Sequence, residues 1–221
     1  MAHVRSLLAK VPAYVAFQRG IGADRLRDLC ITASGVGPGD TVVDIGCGPA
    51  YYFDRLPQPV TYVGFDTDRV YIDWARGRYG DRGTFYCGVF DAEQAALLPP
   101  VDVVLLLGLL HHLSDADAGA VLDLTAGILA PGGRVVSVDT CFEAAQGRVS
   151  RWVSDNDRGE FVRPSHEFAA LAERRFESVE VTPLSHTLRM PAAFCMMRMT
   201  RPRQPARWQP TDASSPDRAA G

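Results

Sequence analysis

Three aspartates stand at or beside the ends of apolar runs, and each could hold part of a polar ligand. Asp44 lies in Thr41-Val42-Val43-Asp44-Ile45, directly before Gly46-Cys47-Gly48. Glycines at 46 and 48 let a ligand approach the main chain, and a carboxylate beside that approach would hold an amino group and repel a pyrophosphate. The dinucleotide fingerprint also wants a third glycine three positions after Gly48, where this chain has Tyr51. Asp66 ends Thr61-Tyr62-Val63-Gly64-Phe65-Asp66, 22 residues after Asp44, and an acid there can accept hydrogen bonds from both hydroxyls of a ribose. Phe90-Asp91 either packs on and hydrogen-bonds an adenine or merely caps the next turn. His111-His112 follows the run Val101 to Leu107 and Gly108. An imidazole there could serve as a base of near-neutral pKa; the alternative is a pair with only packing and backbone roles. Adjacent side chains point in different directions, so one of the two at most would serve.

These residues need elements that bring them together. Apolar runs at Thr41–Ile45, Thr61–Asp66, Thr84–Val89, Val101–Leu107 and Arg134–Val138 read as strands, the fourth apolar except for Asp102, as a strand buried on both faces should be. Between them lie a short helical stretch ending at Leu56, a helix over 69–79 with Asp68 as N-cap, and a helix over 114–129 before Pro131-Gly132-Gly133. Strands alternating with helices imply a right-handed, doubly wound α/β sheet of Rossmann-like form, with ligands bound beyond the carboxyl ends of the strands. Asp44, Asp66, Asp91 and Gly108 all fall at that edge. Two amphipathic segments broken at Arg19-Gly20-Ile21-Gly22 make residues 1–35 a helical preface over the cleft, with Tyr14 and Gln18 as candidate contacts or, equally, Tyr14 as part of a buried stripe.

Residues 36–200 form the main domain. Within it 141–164, which includes Asp157-Arg158-Gly159, has no clean period and suits an irregular lid. A helix over 165–176 with Ser165 as N-cap is followed by runs at Ser178–Pro183 and Ala192–Thr200, which read as an antiparallel pair. Residues 201–221 are rich in proline and read as a disordered tail.

Composition narrows the function. The formal charge is −3, and the 23 basic residues, of which only Lys10 is lysine, are scattered rather than striped. That argues against phosphate neutralisation as the main task, and the arginine bias suggests a bacterium with a GC-rich genome. Five separated cysteines indicate neither a disulfide framework nor a zinc site. With no evident signal peptide, and with its longest apolar run too short for a bilayer, the chain is expected in the cytoplasm, without a membrane or nucleic-acid partner, as a monomer or homodimer.

Val43-Asp44-Ile45-Gly46-Cys47-Gly48, Asp66, Phe90-Asp91, Leu110-His111-His112-Leu113 and Leu129-Ala130-Pro131-Gly132-Gly133 together resemble the class I S-adenosylmethionine-dependent methyltransferases of the bacterial small-molecule type. The resemblance spans about Tyr14 to Thr200. It implies a seven-stranded sheet, mostly parallel with its last strand antiparallel, and S-adenosyl-L-methionine as methyl donor with no metal. Carried over by position, Asp44, Gly46 and Gly48 would cradle the methionine part with Cys47 beside them. Asp66 with Thr67 would take the ribose, Phe90 and Asp91 the adenine, and Gly108 would flank the amino acid group. Tyr14 would cap the site, and His111 or His112 would be the base for a small-molecule acceptor methylated on O, N or C. Ala50 departs from the glycine many relatives carry.

Two rival functions remain, methylation of RNA or protein and non-catalytic cofactor binding. Thr140-Cys141 resembles the pair that bears the nucleophile in RNA cytosine methyltransferases, but Leu109-Leu110 stands where those enzymes have Pro-Cys. A non-catalytic, cofactor-binding regulatory protein would keep the acid and glycine set and lack turnover. Trp152, Phe161, Phe194 and Met196 are candidates for an apolar acceptor pocket.

Overall fold

A computed structural model describes residues 11–203. The chain runs α1 (Val11–Ile21), α2 (Ala23–Ser34), β1 (Thr41–Ile45), β2 (Thr61–Asp66), α3 (Arg69–Tyr79), β3 (Thr84–Cys87), α4 (Ala92–Leu97), β4 (Val101–Leu107), α5 (Asp115–Ile128) and β5 (Leu129–Phe142). Then follow α6 (Arg148–Asp155), β6 (Arg163–Pro164), α7 (Ser165–Glu173), β7 (Phe176–Ser185) and β8 (Ala193–Pro202), with single 3₁₀ turns at Phe53–Arg55 and Leu110–His112.

The main sheet has the order β3-β2-β1-β4-β5-β8-β7, and β6 adds a short parallel pairing to the end of β5. β1 to β5 are parallel, and β8 lies antiparallel between β5 and β7. This is the expected doubly wound Rossmann-like sheet. The order reverses between β1 and β4, and such a switch point opens a crevice at the carboxyl ends of the strands.

Burial explains the strands. Val103, Val104, Leu105 and Leu106 of β4 have no exposed surface, alternating between two cores. One core joins β4 to α5 and α7 through Leu122 and Phe168; the other joins it to α2 and α3 through Cys30 and Ile72. A fully buried aliphatic side chain contributes about 1.5–3 kcal/mol, so β4 is the sheet's main anchor. Local signals start the helices: Asp68 accepts from Val70 N and Tyr71 N to begin α3, and Ser114 accepts from Asp117 N to begin α5.

Some boundaries differ from the sequence reading. β5 starts at Leu129 and passes through Pro131-Gly132-Gly133, with a register shift against β4 between Val101 and Val103. β8 continues to Pro202, beyond the expected domain end, because Phe176 pairs with Pro202. The expected tail otherwise lies at 204–221, outside the described residues, as do residues 1–10 of the preface. The expected irregular lid holds helix α6 and strand β6. At eight residues, α6 is too short to display a period. The helix expected from 165 to 176 ends at Glu173, with Pro164 rather than Ser165 in the capping position. The stretch before Leu56 is one 3₁₀ turn.

Candidate functional site

A cavity of about 910 Å³ opens at the switch point. Its walls come from α1, α2, the ends of β1, β2 and β4, the α6 region and the loop between β7 and β8. Tyr14, Gly46, Cys47, Gly48, Asp66, Thr67, Phe90, Gly108, His111 and His112 all line it, so the structure gathers most of the candidates.

The β1 turn is built from backbone. Gly46 N and Cys47 N both donate to Phe65 O, at 2.8 and 3.0 Å, which folds the turn over the end of β2. Gly46 has φ +76°, and a Cβ there would stand 3.1 Å from Leu109 Cδ1. Both its conformation and its neighbour therefore require glycine. Ala50 adopts φ 48° with no exposed surface, so the alanine is held in the left-handed region that glycine would occupy freely.

Asp66 projects from the end of β2 toward the cavity. Its Oδ2 accepts from Gly48 N and its Oδ1 from Asp68 N, both at 2.8 Å. Each oxygen keeps a lone pair for a further donor, as two vicinal hydroxyls would supply. Burial pushes the Asp66 pKa up, against those backbone bonds.

Two expected ligand contacts lie elsewhere. Asp44 is fully buried and off the cavity lining, its Oδ2 accepting from Tyr52 OH at 2.6 Å and Tyr62 OH at 2.5 Å. Strand alternation turns the side chain behind the glycine turn, under the two phenols. Burial raises its pKa to about 6, with the tyrosines and Arg27 opposing. Asp91 is exposed and off the lining; its Oδ1 accepts from Gln94 N at 2.9 Å and starts α4. Of the two readings of Asp91, the cap is the contact formed.

Arg27 was not singled out in the sequence. It lies in α2, 9% exposed, with its guanidinium carbon 5.5 Å from the Tyr52 ring centre, and it lines the cavity. Arg27 Nε, Tyr51 OH and Asp44 Oδ1 are all buried without a hydrogen-bond partner. Buried polar atoms are rarely left unpaired, and of these three groups Arg27 and Tyr51 line the cavity, so this end fits a ligand bearing an anionic group. The only sequence signal was a cation at a position where the helix buries its stripe.

The histidines have separate environments. His111 is 7% exposed. Its Nδ1 is 2.9 Å from Asp139 Oδ1, which also accepts from His111 N, and its Nε2 is 3.2 Å from Asp157 Oδ1. Burial disfavours its charge, yet the two carboxylates lift its pKa to about 9, which favours the protonated ring. His112 is exposed, its ring centre 4.2 Å from that of His111. Partial desolvation and the His111 charge lower its pKa. Both effects favour the neutral imidazole, the form that can accept a proton.

Trp152, Val153, Leu188, Met190 and Phe194 give the rest of the cavity an apolar wall. Phe161 and Met196 are not on the lining. Cys141 is fully buried, its Sγ 3.6 Å from Glu143 Oε1, and burial pushes the thiol well up, which removes it as a nucleophile. Among the described residues no three His, Cys, Asp or Glu side chains are placed to hold a metal ion, and no helix is long and apolar enough to cross a membrane.

Residues 42–133 match the family model described as a methyltransferase domain. A stretch of 125 residues is 28% identical to the geranyl diphosphate 2-C-methyltransferase of Streptomyces lasalocidi. The match covers 54% of this chain and 41% of the relative, so the chain spans less than half of that protein's length. Among solved structures, an O-methyltransferase family protein from Burkholderia thailandensis superposes with a TM-score of 0.63 at 19% identity, over 86% of this chain and 57% of that one. The N-methyltransferase NodS from Bradyrhizobium japonicum WM9, solved with S-adenosyl-L-homocysteine, gives 0.59 at 15% identity, over 81% and 86%. The cyclase SpnF gives 0.60 at 15%, over 81% and 82%. At these identities the likeness is one of fold.

Proposed function

We propose that this chain, which carries a class I S-adenosylmethionine-dependent methyltransferase domain, transfers the methyl group to a small-molecule acceptor by in-line displacement. The observation that carries the proposal is one cavity with two unlike ends: Asp66, the glycine turn and the unpaired buried groups at one, and His112 with an apolar wall at the other. The matched methyltransferase domain over 42–133 supports it.

The residues suit the cofactor. Asp66 would accept from the ribose hydroxyls, and Phe65 and Phe90 would flank the base. Arg27 Nε and Tyr51 OH would take the carboxylate, while the turn at Gly46 and the backbone around Gly108 border the amino acid arm. Asp44 then sets the turn from behind through Tyr52. When bound, S-adenosylmethionine supplies a methyl group already activated on a sulfonium.

The chain's own task is to align the acceptor and exclude water, and alignment alone can be worth roughly 7–11 kcal/mol. For a hydroxyl or an acidic carbon, His112 receives the proton as the new bond to the methyl forms. An amine acceptor would need no such base. The apolar wall favours an acceptor with a hydrophobic frame, a setting consistent with natural-product biosynthesis. The free thiols of all five cysteines suit a cytoplasmic, bacterial setting, and we assign no nucleic-acid or membrane partner.

Two measurements test this. S-adenosyl-L-homocysteine should stabilise the chain thermally by mass action; no shift at millimolar ligand would remove the cofactor assignment. Incubating a host extract with the chain and methyl-labelled cofactor should label a small molecule; label confined to RNA or protein would replace that substrate class.

A further inference from the structure

His111 joins three pieces of chain. It sits in the turn after β4, its ring reaches Asp139 in β5, and its other ring nitrogen reaches Asp157 in the segment after α6. The contact is reinforced from both sides. Phe161 N donates to His111 O at 2.9 Å, Thr140 Oγ1 donates to Asp157 Oδ2 at 3.1 Å, and Gly159 N donates to Asp157 Oδ1 at 2.9 Å. A Cβ on Gly159 would collide with the His111 ring and carbonyl, so the segment lies flat on the histidine. Buried Arg163 then donates to the carbonyls of Leu110, Phe161 and Leu113 and pairs with Asp115, fastening the far end of the segment to the same turn.

Both carboxylates lie on opposite nitrogens of one ring. A carboxylate only accepts, and an acid stands at each nitrogen: Nδ1 is hydrogen-bonded to Asp139 Oδ1 at 2.9 Å and Nε2 lies 3.2 Å from Asp157 Oδ1 as an ion-pair contact, an arrangement that favours the imidazolium, the form with a donor on each nitrogen. A neutral ring would leave one carboxylate facing a lone pair. Besides Asp139 and Asp157, His112 of the same turn faces His111 with its ring centre 4.2 Å away, while Arg158 acts on His112 and Arg163 binds the neighbouring carbonyls of Leu110 and Leu113.

We propose that His111 is a positioning residue, a standing imidazolium that straps residues 157–163 across the acceptor end of the cavity and aims His112 into it. This rests on the methyl-transfer reading and adds a division of labour within the histidine pair. His111 keeps its proton through the cycle. His112 alone exchanges one with the acceptor. The strap carries Arg158 into the lining, where it has no ion-pair partner among the described residues, and holds α6 so that Trp152 and Val153 form the apolar wall. The strap therefore defines where the acceptor lies, and its docking depends on the protonation of a residue that never takes part in the chemistry.

The test uses the full chain with ¹⁵N-labelled histidine. Long-range proton–nitrogen spectra should show His111 doubly protonated at neutral pH and losing a proton only as pH passes about 9, while His112 is neutral throughout. In parallel, hydrogen exchange at Gly159 and Phe161, corrected for the intrinsic effect of pH, should quicken at least about tenfold over the same transition. Asp157→Asn keeps the shape and removes one carboxylate. It should bring that faster exchange to neutral pH and lower the His111 pKa. A single neutral tautomer of His111 at neutral pH, or a strap whose protection ignores both pH and Asp157→Asn, would overturn the proposal. Binding of S-adenosyl-L-homocysteine, measured on the unmodified chain, judges the cofactor assignment separately.

Discussion

The two ends of the cavity are built on different principles. The end at β1 and β2 is made largely of main chain: a glycine turn bonded to Phe65 O, a carboxylate fixed by two backbone N–H groups, and behind them two phenols that donate to Asp44. The end at β4 and β5 is made of side chains: one imidazole between two acids, and an apolar helix face whose Trp152 is 59% exposed. Backbone geometry fixes a site for one invariant ligand. Side chains on a short helix can be exchanged without disturbing the sheet, which suits the end that, in the proposed reaction, would select among acceptors.

The sharpest break in that contrast is Asp66→Ala. Hydrogen bonds to a charged acceptor are each worth about 1.5–3 kcal/mol, so losing two should weaken S-adenosyl-L-homocysteine binding by at least about 3 kcal/mol, more than a hundredfold by calorimetry. Parental affinity in that variant would remove the ribose assignment. The other end should fail with pH instead. His111 has a folded pKa of about 9 against an ordinary 6.5, so its contribution is complete below about 6.5 and is lost as pH rises through about 9. That contribution is about 3 kcal/mol, and chemical denaturation of the ligand-free chain at rising pH should recover it. A stability curve flat over that range would show that the acids do not hold the ring.

Arg27→Gln separates a binding role from a packing one. If the guanidinium meets the ligand's carboxylate, affinity for S-adenosyl-L-homocysteine should fall about tenfold or more, while loss of the amino acid arm from the ligand, as in adenosine, should erase the difference. Equal losses for both ligands would make Arg27 a packing residue. The smallest effect is expected at Ala50→Gly. Relief of a left-handed alanine is worth about 1–2 kcal/mol and the added freedom of the unfolded chain takes back part of it, so stability should rise by no more than about 1 kcal/mol. A clear loss of stability would mean that the alanine methyl contributes more by packing than its backbone angle costs.

What the sequence disclosed follows the same division. The glycine turn, Asp66 and the Asp68 cap could be read directly because each is a local rule: a strand, a tight turn and a cap lie within a few residues of one another. Asp44 misled because a strand-end acid looks alike whether it faces ligand or core, and Tyr52 and Tyr62 become its partners only once the strands pair. His111 and His112 looked equivalent for a related reason. What separates them is Asp139, one residue past the run Arg134–Val138, and Asp157, which stood in the noted Asp157-Arg158-Gly159 motif but 46 residues from its partner. Arg27 was hidden because a helix's burial stripe is read from its apolar members.

The position of β8 has a bearing on how the chain is made. It is the last of the described strands to be synthesised, yet it sits inside the sheet, hydrogen-bonded to β5 on one side and β7 on the other. Until residues 193–202 leave the ribosome, β5 is an open edge carrying Val136 and Val138, and β7 has no partner at all. A nascent or truncated chain lacking this segment would offer an unpaired apolar strand to its neighbours, and its growth would favour clumping over folding.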